Sequence, residues 1–545
     1  MRSAPIVTLV ACLLPSAALA VAEPEDGDWT LSHDIDIEYR AQQRVLRPLS
    51  LNDLTAERVT YLDQRARFDM RFRLGKYVTF RAMTDLLDGV LFGDNGSFVK
   101  SPIRNRGSLV AAKQPNLARV DIGQLDPNGD VLDLDNYGLV LRPANAVNVR
   151  MLYAEALLPF GLIRAGRQPL TRGRNTLIHD GSRINRWGVS IQPDVADSVA
   201  FGTKLSAIAD VIAGREPDRD PKRGLFAGVL YGRIVENDPQ RSDGLNQFAA
   251  TVYYDDTDVD LLGAHFDEIR TGVTWAHRTG EQYDTKLHTF NGWLQLTYGN
   301  LFIGAFHTQM FGATREVSEG LALLGRTTGP PVRQDLRAYG GFAEIAYPLS
   351  AFDLIFEVFY ASGDNTPESD GPITQFTFAE DTNVGLHLFE NVLHYQTARS
   401  AARGVAAIQG VNPPTYPAAD INTRGGLQNA IVLFPQVVFS PLRWLSARAG
   451  VMFAFTERDN VDQVGTILGA TGASLRDDMV NFNGGAPARY WGTELDVGLT
   501  FTPVDGFMLD LEGAYLWPGA ALHDENGDAV NSVYGNVRFT FFYDS

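Results

Sequence analysis

The chain has 545 residues, of which 45% are hydrophobic and 21% charged, and its formal net charge is −18. This composition excludes a disordered protein, and the acidic balance argues against nucleic acid as a partner. The single cysteine, Cys12, lies in the N-terminal leader, so the rest of the chain contains no disulfide and no cysteine-ligated metal. Beyond the N-terminus no run of eighteen apolar residues occurs, which leaves a closed β-barrel as the one membrane architecture still open.

The N-terminus has the order of features found in a secretory signal peptide. A basic start at Arg2 is followed by an apolar core from Ile6 to Leu14 and by the small-residue cleavage pattern Ala18-Leu19-Ala20. This signal peptide predicts export across the inner membrane. Together with a β-barrel, it predicts that the protein is located in the outer membrane of a Gram-negative cell. The predicted organisation is a signal peptide at 1–20, a short acidic leader at 21–28 and one barrel domain at 29–545.

The stretch 61–74 defines the alternation that the rest of the chain repeats. Successive side chains of a strand point to opposite faces, so this stretch has one apolar face and one ionic face. In a soluble sheet the ionic face would meet water, whereas in an outer-membrane barrel it would line the lumen. The apolar face holds Leu62, Ala66, Phe68, Met70, Phe72 and Leu74, and the ionic face Asp63, Arg65, Arg67, Asp69, Arg71 and Arg73.

Further segments along the chain show similar alternation, and two kinds of connection separate them. Turns of two to four residues, as at 298–300, 348–350 and 502–504, predict periplasmic turns, and long polar stretches predict extracellular loops. Residues 126–135 are faintly similar to a calcium loop, but the closing glutamate is missing, so turn chemistry is favoured and calcium binding stays open. The long loops are predicted near 87–146, 313–334, 364–426 and 457–489. The strand candidates are 29–42, 61–74, 77–86, 247–255, 286–298, 352–360, 444–455, 490–502, 507–517 and 533–543, with weaker ones at 197–205, 224–236, 258–279, 299–312, 335–348 and 427–441.

The last strand candidate, 533–543, carries apolar or aromatic residues at every second position up to Tyr543. This ending is similar to the signal that barrel-assembly machinery recognises, which makes that machinery a predicted partner. Strand candidates of ~10–14 residues, longer than those of soluble sheets, suit a tilted membrane span. We therefore predict an all-β fold: a transmembrane antiparallel up-and-down barrel of about 18 strands, within a range of 16–20.

A second informative stretch, 152–190, has a basic excess, although the chain as a whole is acidic. Between 161 and 190 there are six arginines and one acid, Asp180. The tripeptide Gly166-Arg167-Gln168, preceded by the acidic aromatic strand Tyr153-Ala-Glu155, resembles the large outer-membrane porins of the alginate-export family. That resemblance implies an 18-stranded porin, without fixing alginate as the cargo.

The ionic faces supply the candidate site residues. Opposed basic and acidic walls in a lumen would create a transverse field that sets ion preference. The alternative is that the acids of the first strand pair with neighbouring arginines and only stabilise the wall. The predicted basic wall is Arg65, Arg67, Arg71, Arg73, Arg81, Arg164, Arg167, Arg172 and Arg174, and the predicted acidic wall is Asp34, Asp36, Glu38, Glu494, Asp496, Asp510 and Glu512.

These features predict a channel rather than an enzyme. The histidines show no metal-ligand spacing and no nucleophile-elbow, P-loop or zinc-protease motif occurs, so no catalytic residue, metal or cofactor is expected. The primary hypothesis is a monomeric porin or exporter that contacts lipopolysaccharide and passes small polar or anionic solutes, or an anionic polysaccharide. The alternative is a non-conducting structural or adhesive barrel whose extracellular loops, 364–426 especially, bind outside partners.

Overall fold

The computed structural model describes most of the chain from Leu31 onwards. The side chains of the first strand are outside this description, although its backbone register is included. The described residues are 31–47, 59–75, 77–93, 121–122, 139–140, 145–158, 160–169, 183–190, 194–216, 220, 223–234, 245–324, 330–368, 370–379, 382–407, 416, 421, 423, 425–471 and 474–543. The predicted signal peptide, acidic leader and 126–135 loop lie outside them.

Eighteen antiparallel strands form one closed sheet in which every strand pairs with its neighbours along the chain. The first strand pairs with the last, from Ile37 opposite Tyr543 to Arg47 opposite Val533, so the sheet has no free edge. The predicted up-and-down barrel of about 18 strands is confirmed. The strands are β1 Leu31–Arg47, β2 Val59–Leu74, β3 Val78–Gly93, β4 Asn145–Leu158, β5 Gly161–Pro169, β6 Val195–Lys204, β7 Gly224–Ile234, β8 Asn246–Leu261, β9 Ala264–Gly280, β10 Thr285–Tyr298, β11 Leu301–Thr314, β12 Gln334–Leu349, β13 Phe352–Ala361, β14 Ala430–Leu442, β15 Leu445–Phe455, β16 Tyr490–Phe501, β17 Phe507–Pro518 and β18 Ser532–Tyr543.

Short and long connections alternate at the two ends of the barrel. One end has tight turns such as Gly299-Asn300, where Gly299 has a φ of 54°, the left-handed conformation that two-residue hairpin turns require. The same end carries helix α1, Leu205–Ile212, between β6 and β7. The other end carries the long connections and one four-residue turn, 281–284. The long-loop end is the predicted extracellular end, and β3 extends to Gly93, several residues into the loop predicted from 87.

Burial alternates along the strands and identifies the outer face. In β18 the exposed fractions of Val537, Phe539 and Phe541 are 38%, 41% and 49%, whereas those of Arg538 and Thr540 are 1% and 2%. Apolar residues therefore point out of the barrel and polar residues point in, which is the pattern of a barrel that crosses a membrane. Within the part of the chain that the structure describes, no helix has the length and apolarity to span a membrane.

Part of the lumen is filled by the connection between β13 and β14. Its described residues include a π-helical turn, Leu388–Leu393, that continues into α3, His394–Ala407. Leu388, Phe389, Val392 and Leu393 are buried in one apolar cluster with inward-facing residues of β12–β18. The cluster also includes residues of α2, Glu316–Leu323, and of α4, Gln463–Gly469. We call the described residues of 382–407 the inner loop. It folds into the barrel instead of extending outwards, unlike the solvent-facing loop expected at 364–426.

Candidate functional site in the barrel lumen

The ionic face of β2 is inside the barrel and is joined to β3 and β4 by buried ion pairs. Arg67 donates to both oxygens of Asp85, at 2.6 and 2.9 Å, and Arg150 donates to the same carboxylate at 2.8 Å. Arg81 donates to Asp69 through two nitrogens, at 2.8 and 2.6 Å. These arginines hold the wall together, because a buried carboxylate needs charged partners.

Other arginines of this wall are more accessible. The side chain of Arg71 is 36% exposed and its guanidinium is 3.6 Å from Asp69. Arg73, two residues nearer the short-turn end, is half-buried. Arg164 pairs with Glu155 and lies over the ring of Tyr153, 4.8 Å from its centroid. The inward-facing residues of β2–β5 whose side chains are described include seven arginines and three acids. The arginines are Arg65, Arg67, Arg71, Arg73, Arg81, Arg150 and Arg164, and the acids are Asp69, Asp85 and Glu155.

Arg167 does not belong to this wall, which corrects its prediction as a lumen residue. In β5 it alternates with the outward-facing Ala165 and Ile163, and it donates to the outward-facing Asp197 of β6 at 2.9 and 3.1 Å. Gly166 beside it has a φ of 124°, and a Cβ there would lie 2.4 Å from the carbonyl oxygen of Leu152. Arg164 and Arg167 are three residues apart in a strand of continuous register, so regular alternation places them on opposite faces of the barrel wall. Arg172 and Arg174 lie outside the described residues.

The three predicted acids of β1 can be placed by backbone register alone. Asp34 is opposite Arg71, Glu38 is opposite Arg67, and Asp36 is opposite Asp69. Two of the three are thus registered with an arginine, as cross-strand pairing would require, but the β1 side chains are not described. Both the pairing hypothesis and the pore-lining hypothesis for these acids stay predictions.

The acids of β17 are neutralised by one arginine of the adjacent strand β18 and by one of β15, two strands away. Arg538 of β18 donates to Asp510 at 2.9 Å and to Glu512 at 3.0 Å. Arg448 of β15 donates to Glu512 at 2.7 Å and to Thr500 at 2.6 Å. All of these charged groups are almost fully buried. The acidic face predicted near the closing seam therefore exists as a network of buried ion pairs, and its carboxylates do not meet open lumen water.

Glu494 of β16 fastens the inner loop to the wall. Its carboxylate accepts the backbone N–H groups of Leu386, His387 and Leu388 at 2.9, 2.9 and 2.6 Å. Gly385 adopts a φ of 72°, and a Cβ there would approach Glu494 and Asp496 to 2.9 and 3.1 Å. Three donors on one buried carboxylate form a strong, directional attachment. We call this attachment the Glu494 latch.

A second segment, 183–190, also enters the lumen on the same side. Arg186 donates to Glu344 and Glu357, each at 2.9 Å. Trp187 stacks on Phe434 with ring centroids 5.9 Å apart, and its indole N–H donates to Gln436 at 2.9 Å. Two inserted segments therefore narrow the lumen along β12–β18. The β2–β5 wall, with its excess of arginines among the described side chains, is outside this range of strands.

His387 makes the seating of the inner loop sensitive to pH. Burial lowers the pKa of His387 to about 3, and its Nε2 contacts the Oγ of Ser532 at 2.5 Å. In a displaced loop the imidazole would regain its ordinary pKa near 6.5, so the displaced form takes up a proton first as pH falls. The seated form is at full stability above pH ~6.5 and loses about 1.4 kcal/mol per unit as pH falls from there towards 3.

We therefore expect lowering the pH from 7.5 to 5 to increase open-state current fluctuations in single-channel recordings. The carboxylates facing this site, Glu494 and Asp496, could also take up protons in acid, so His387→Gln is the matched variant. It keeps a donor for Ser532 and should respond little over this pH range. An equal pH response in wild type and His387→Gln would assign the effect to the carboxylates instead.

Comparison with known proteins yields fold likenesses only. No family model matches the chain, and no curated protein matches it. OccAB1 of Acinetobacter baumannii is 10% identical, with a TM-score of 0.47 over 94% of this chain and 96% of that one. OccK2 (OpdF) of Pseudomonas aeruginosa is 10% identical, with a TM-score of 0.46 over 94% and 98%. A BenF-like porin from Pseudomonas fluorescens Pf-5 is 7% identical, with a TM-score of 0.45 over 94% and 99%. The function of this chain therefore has to be argued from its own residues.

Proposed function

We propose that the protein is an outer-membrane channel that passes small polar or anionic solutes along an arginine-rich side of its lumen. The observation that carries this proposal is the asymmetry of the interior. Inserted segments and neutralised acids occupy β12–β18, while the described side chains of β2–β5 include seven inward arginines and three inward acids. A barrel of eighteen strands is wide enough to enclose an aqueous passage beside such an insertion.

Two features support the proposed location. The outer face of the barrel is apolar along its strands, and the sequence begins with a stretch typical of export. Lipopolysaccharide contact, assembly through β18 and a monomeric state accompany this proposal as expectations. An anionic polysaccharide cargo, by analogy with the alginate-export family, is supported only by the short resemblance at 153–168.

The proposal is tested by measuring ion selectivity. Arg71→Ser with Arg73→Ser removes two accessible inward charges without cutting the Arg67–Asp85 and Arg81–Asp69 pairs, so the reversal potential in a salt gradient should shift towards cation preference. Arg167→Ser is the matched control, because that side chain is on the outer face and should leave the reversal potential unchanged. An unshifted potential in the double variant would mean that the conducting path does not follow this wall.

The alternative function is that of a non-conducting barrel. The insertion of the inner loop also supports this alternative, because the loop would then seal the lumen. Proteoliposome swelling separates the two functions. A channel admits small neutral and anionic solutes at a rate that falls with their size. A sealed barrel leaves the vesicles shrunken in every solute.

A further inference from the structure

The inner wall of β7–β13 carries aromatic residues in a single hydrogen-bonding register. Phe226 is opposite Tyr253, Tyr253 is opposite Gly272, and Gly272 is opposite Trp293. The row then continues from Trp293 to Phe306, Phe342 and Phe359. Six of the seven strands contribute an aromatic residue to this register, and β9 contributes Gly272. We call these six aromatic residues the aromatic row.

Several neighbouring rings of the row interact with one another. Phe226 and Tyr253 are stacked, with centroids 4.8 Å apart and planes 11° apart. Tyr253 and Trp293 follow at 6.4 Å, and Phe306 and Phe342 also at 6.4 Å. At Gly272, a Cβ would lie 2.9 Å from the indole of Trp293. Because Gly272 has no side chain, the indole of Trp293 can lie over it and approach Tyr253.

The row is inclined to the barrel axis. It crosses six strand-to-strand steps of ~4.8 Å, which gives ~29 Å along the wall, and strands tilted by ~40° convert this into an axial rise of roughly 19 Å. That rise is about two thirds of a ~30 Å hydrocarbon core. Phe226, Phe306 and Phe359 are buried, and Phe359 belongs to the apolar cluster that includes the inner loop. Tyr253 and Trp293 are half-exposed and are the rings of the row that are accessible from the lumen.

Polar groups flank the accessible rings on both sides. Towards the long-loop end lie Thr251 with Thr274, hydrogen-bonded at 2.9 Å, and Asn291 with Thr308, hydrogen-bonded at 2.8 Å. Towards the short-turn end Arg270 is shared by Asp255, at 3.0 Å, and Glu268, at 2.8 Å. The charged groups named here carry a net charge of −1, which disfavours an anionic ring at this position.

We propose that the aromatic row is a track for the sugar rings of oligosaccharides inside the channel. A sugar ring has a flat apolar face of C–H groups that stacks on an aromatic π-face, and hydroxyls at its edge that hydrogen-bond to both donors and acceptors. Rings bordered by hydroxyls and amides on one side and by charged groups on the other match both requirements. This inference rests on the proposed channel function and narrows its substrate class.

The test is current block in single-channel recordings with maltohexaose as the probe. Wild type should show reversible, concentration-dependent block, and Trp293→Ala should raise the dissociation constant about tenfold or more. Tyr253→Leu keeps an apolar side chain but removes the π-face, and should also weaken block. This variant provides the test if Trp293→Ala fails to assemble. Trp275→Ala is the matched control, since Trp275 is on the outer face of β9 and should leave block unchanged.

The outcomes separate the two proposals. Absence of any conductance would reject the channel function itself. Conductance without block by maltohexaose, or equal block in Trp293→Ala and wild type, would overturn the aromatic track alone. Block by benzoate but not by maltohexaose would also overturn it, because the row would then select aromatic acids.

Discussion

Replacing Glu494 with alanine is expected to release the inner loop and raise the conductance of the channel. The substitution leaves three buried N–H donors, those of Leu386, His387 and Leu388, without their shared acceptor. Loss of one charged partner from such a buried arrangement costs on the order of 3–5 kcal/mol, so the seated population should fall by a factor of roughly 10² to 4 × 10³ relative to the displaced one.

Single-channel conductance and limited proteolysis of 362–429 measure this release independently. Glu494→Gln, which keeps one acceptor oxygen, should give an intermediate effect. Val497→Ala is the control, because Val497 is on the same strand but 46% exposed on the outer face. Unchanged current together with unchanged protease resistance in Glu494→Ala would show that the latch does not hold the loop.

Replacing Arg538 with methionine is expected to destabilise the barrel by about 3–5 kcal/mol. The variant leaves Asp510 and Glu512 buried with Arg448 as their remaining cation. The site is also next to the closing seam, because Arg538 is opposite Gln42 of β1. Denaturant unfolding in lipid vesicles, followed by tryptophan fluorescence, measures the free energy.

Two further variants make this result specific. Arg489→Met removes an arginine that is 65% exposed and paired with Asp459 at 2.8 Å, and should cost about 1 kcal/mol or less. The double variant Arg538→Met, Asp510→Asn should recover much of the loss, since it leaves Glu512 paired with Arg448 at 2.7 Å and no uncompensated charge in the network. A stability of Arg538→Met equal to that of wild type would contradict the buried-network account.

The barrel could be predicted from the sequence because period-two alternation and turn lengths are local properties. The stretch 61–74 shows this best: its predicted apolar face and ionic face are the outer and inner faces of β2. Arg167 was predicted on the same wall as Arg164, although residues three apart in a strand point to opposite faces, and the structure follows this alternation.

The interior of the barrel was harder to predict, because it depends on contacts distant in sequence. Arg186 meets Glu344 and Glu357, 158 and 171 residues away, and the Glu494 latch joins residues more than 100 apart. Loop 364–426 has no sequence signal that distinguishes inward from outward folding. Trp293 did carry a signal, since it stands among Asn291, Gln295 and Thr297 on the polar face of its strand.

The channel proposal is tested most directly by recording single-channel currents from the purified full-length protein in planar lipid bilayers. We predict discrete ohmic current steps, with larger steps for Glu494→Ala. A protein that inserts and keeps its barrel fold, but conducts no current even after deletion of 364–426, would contradict the proposal.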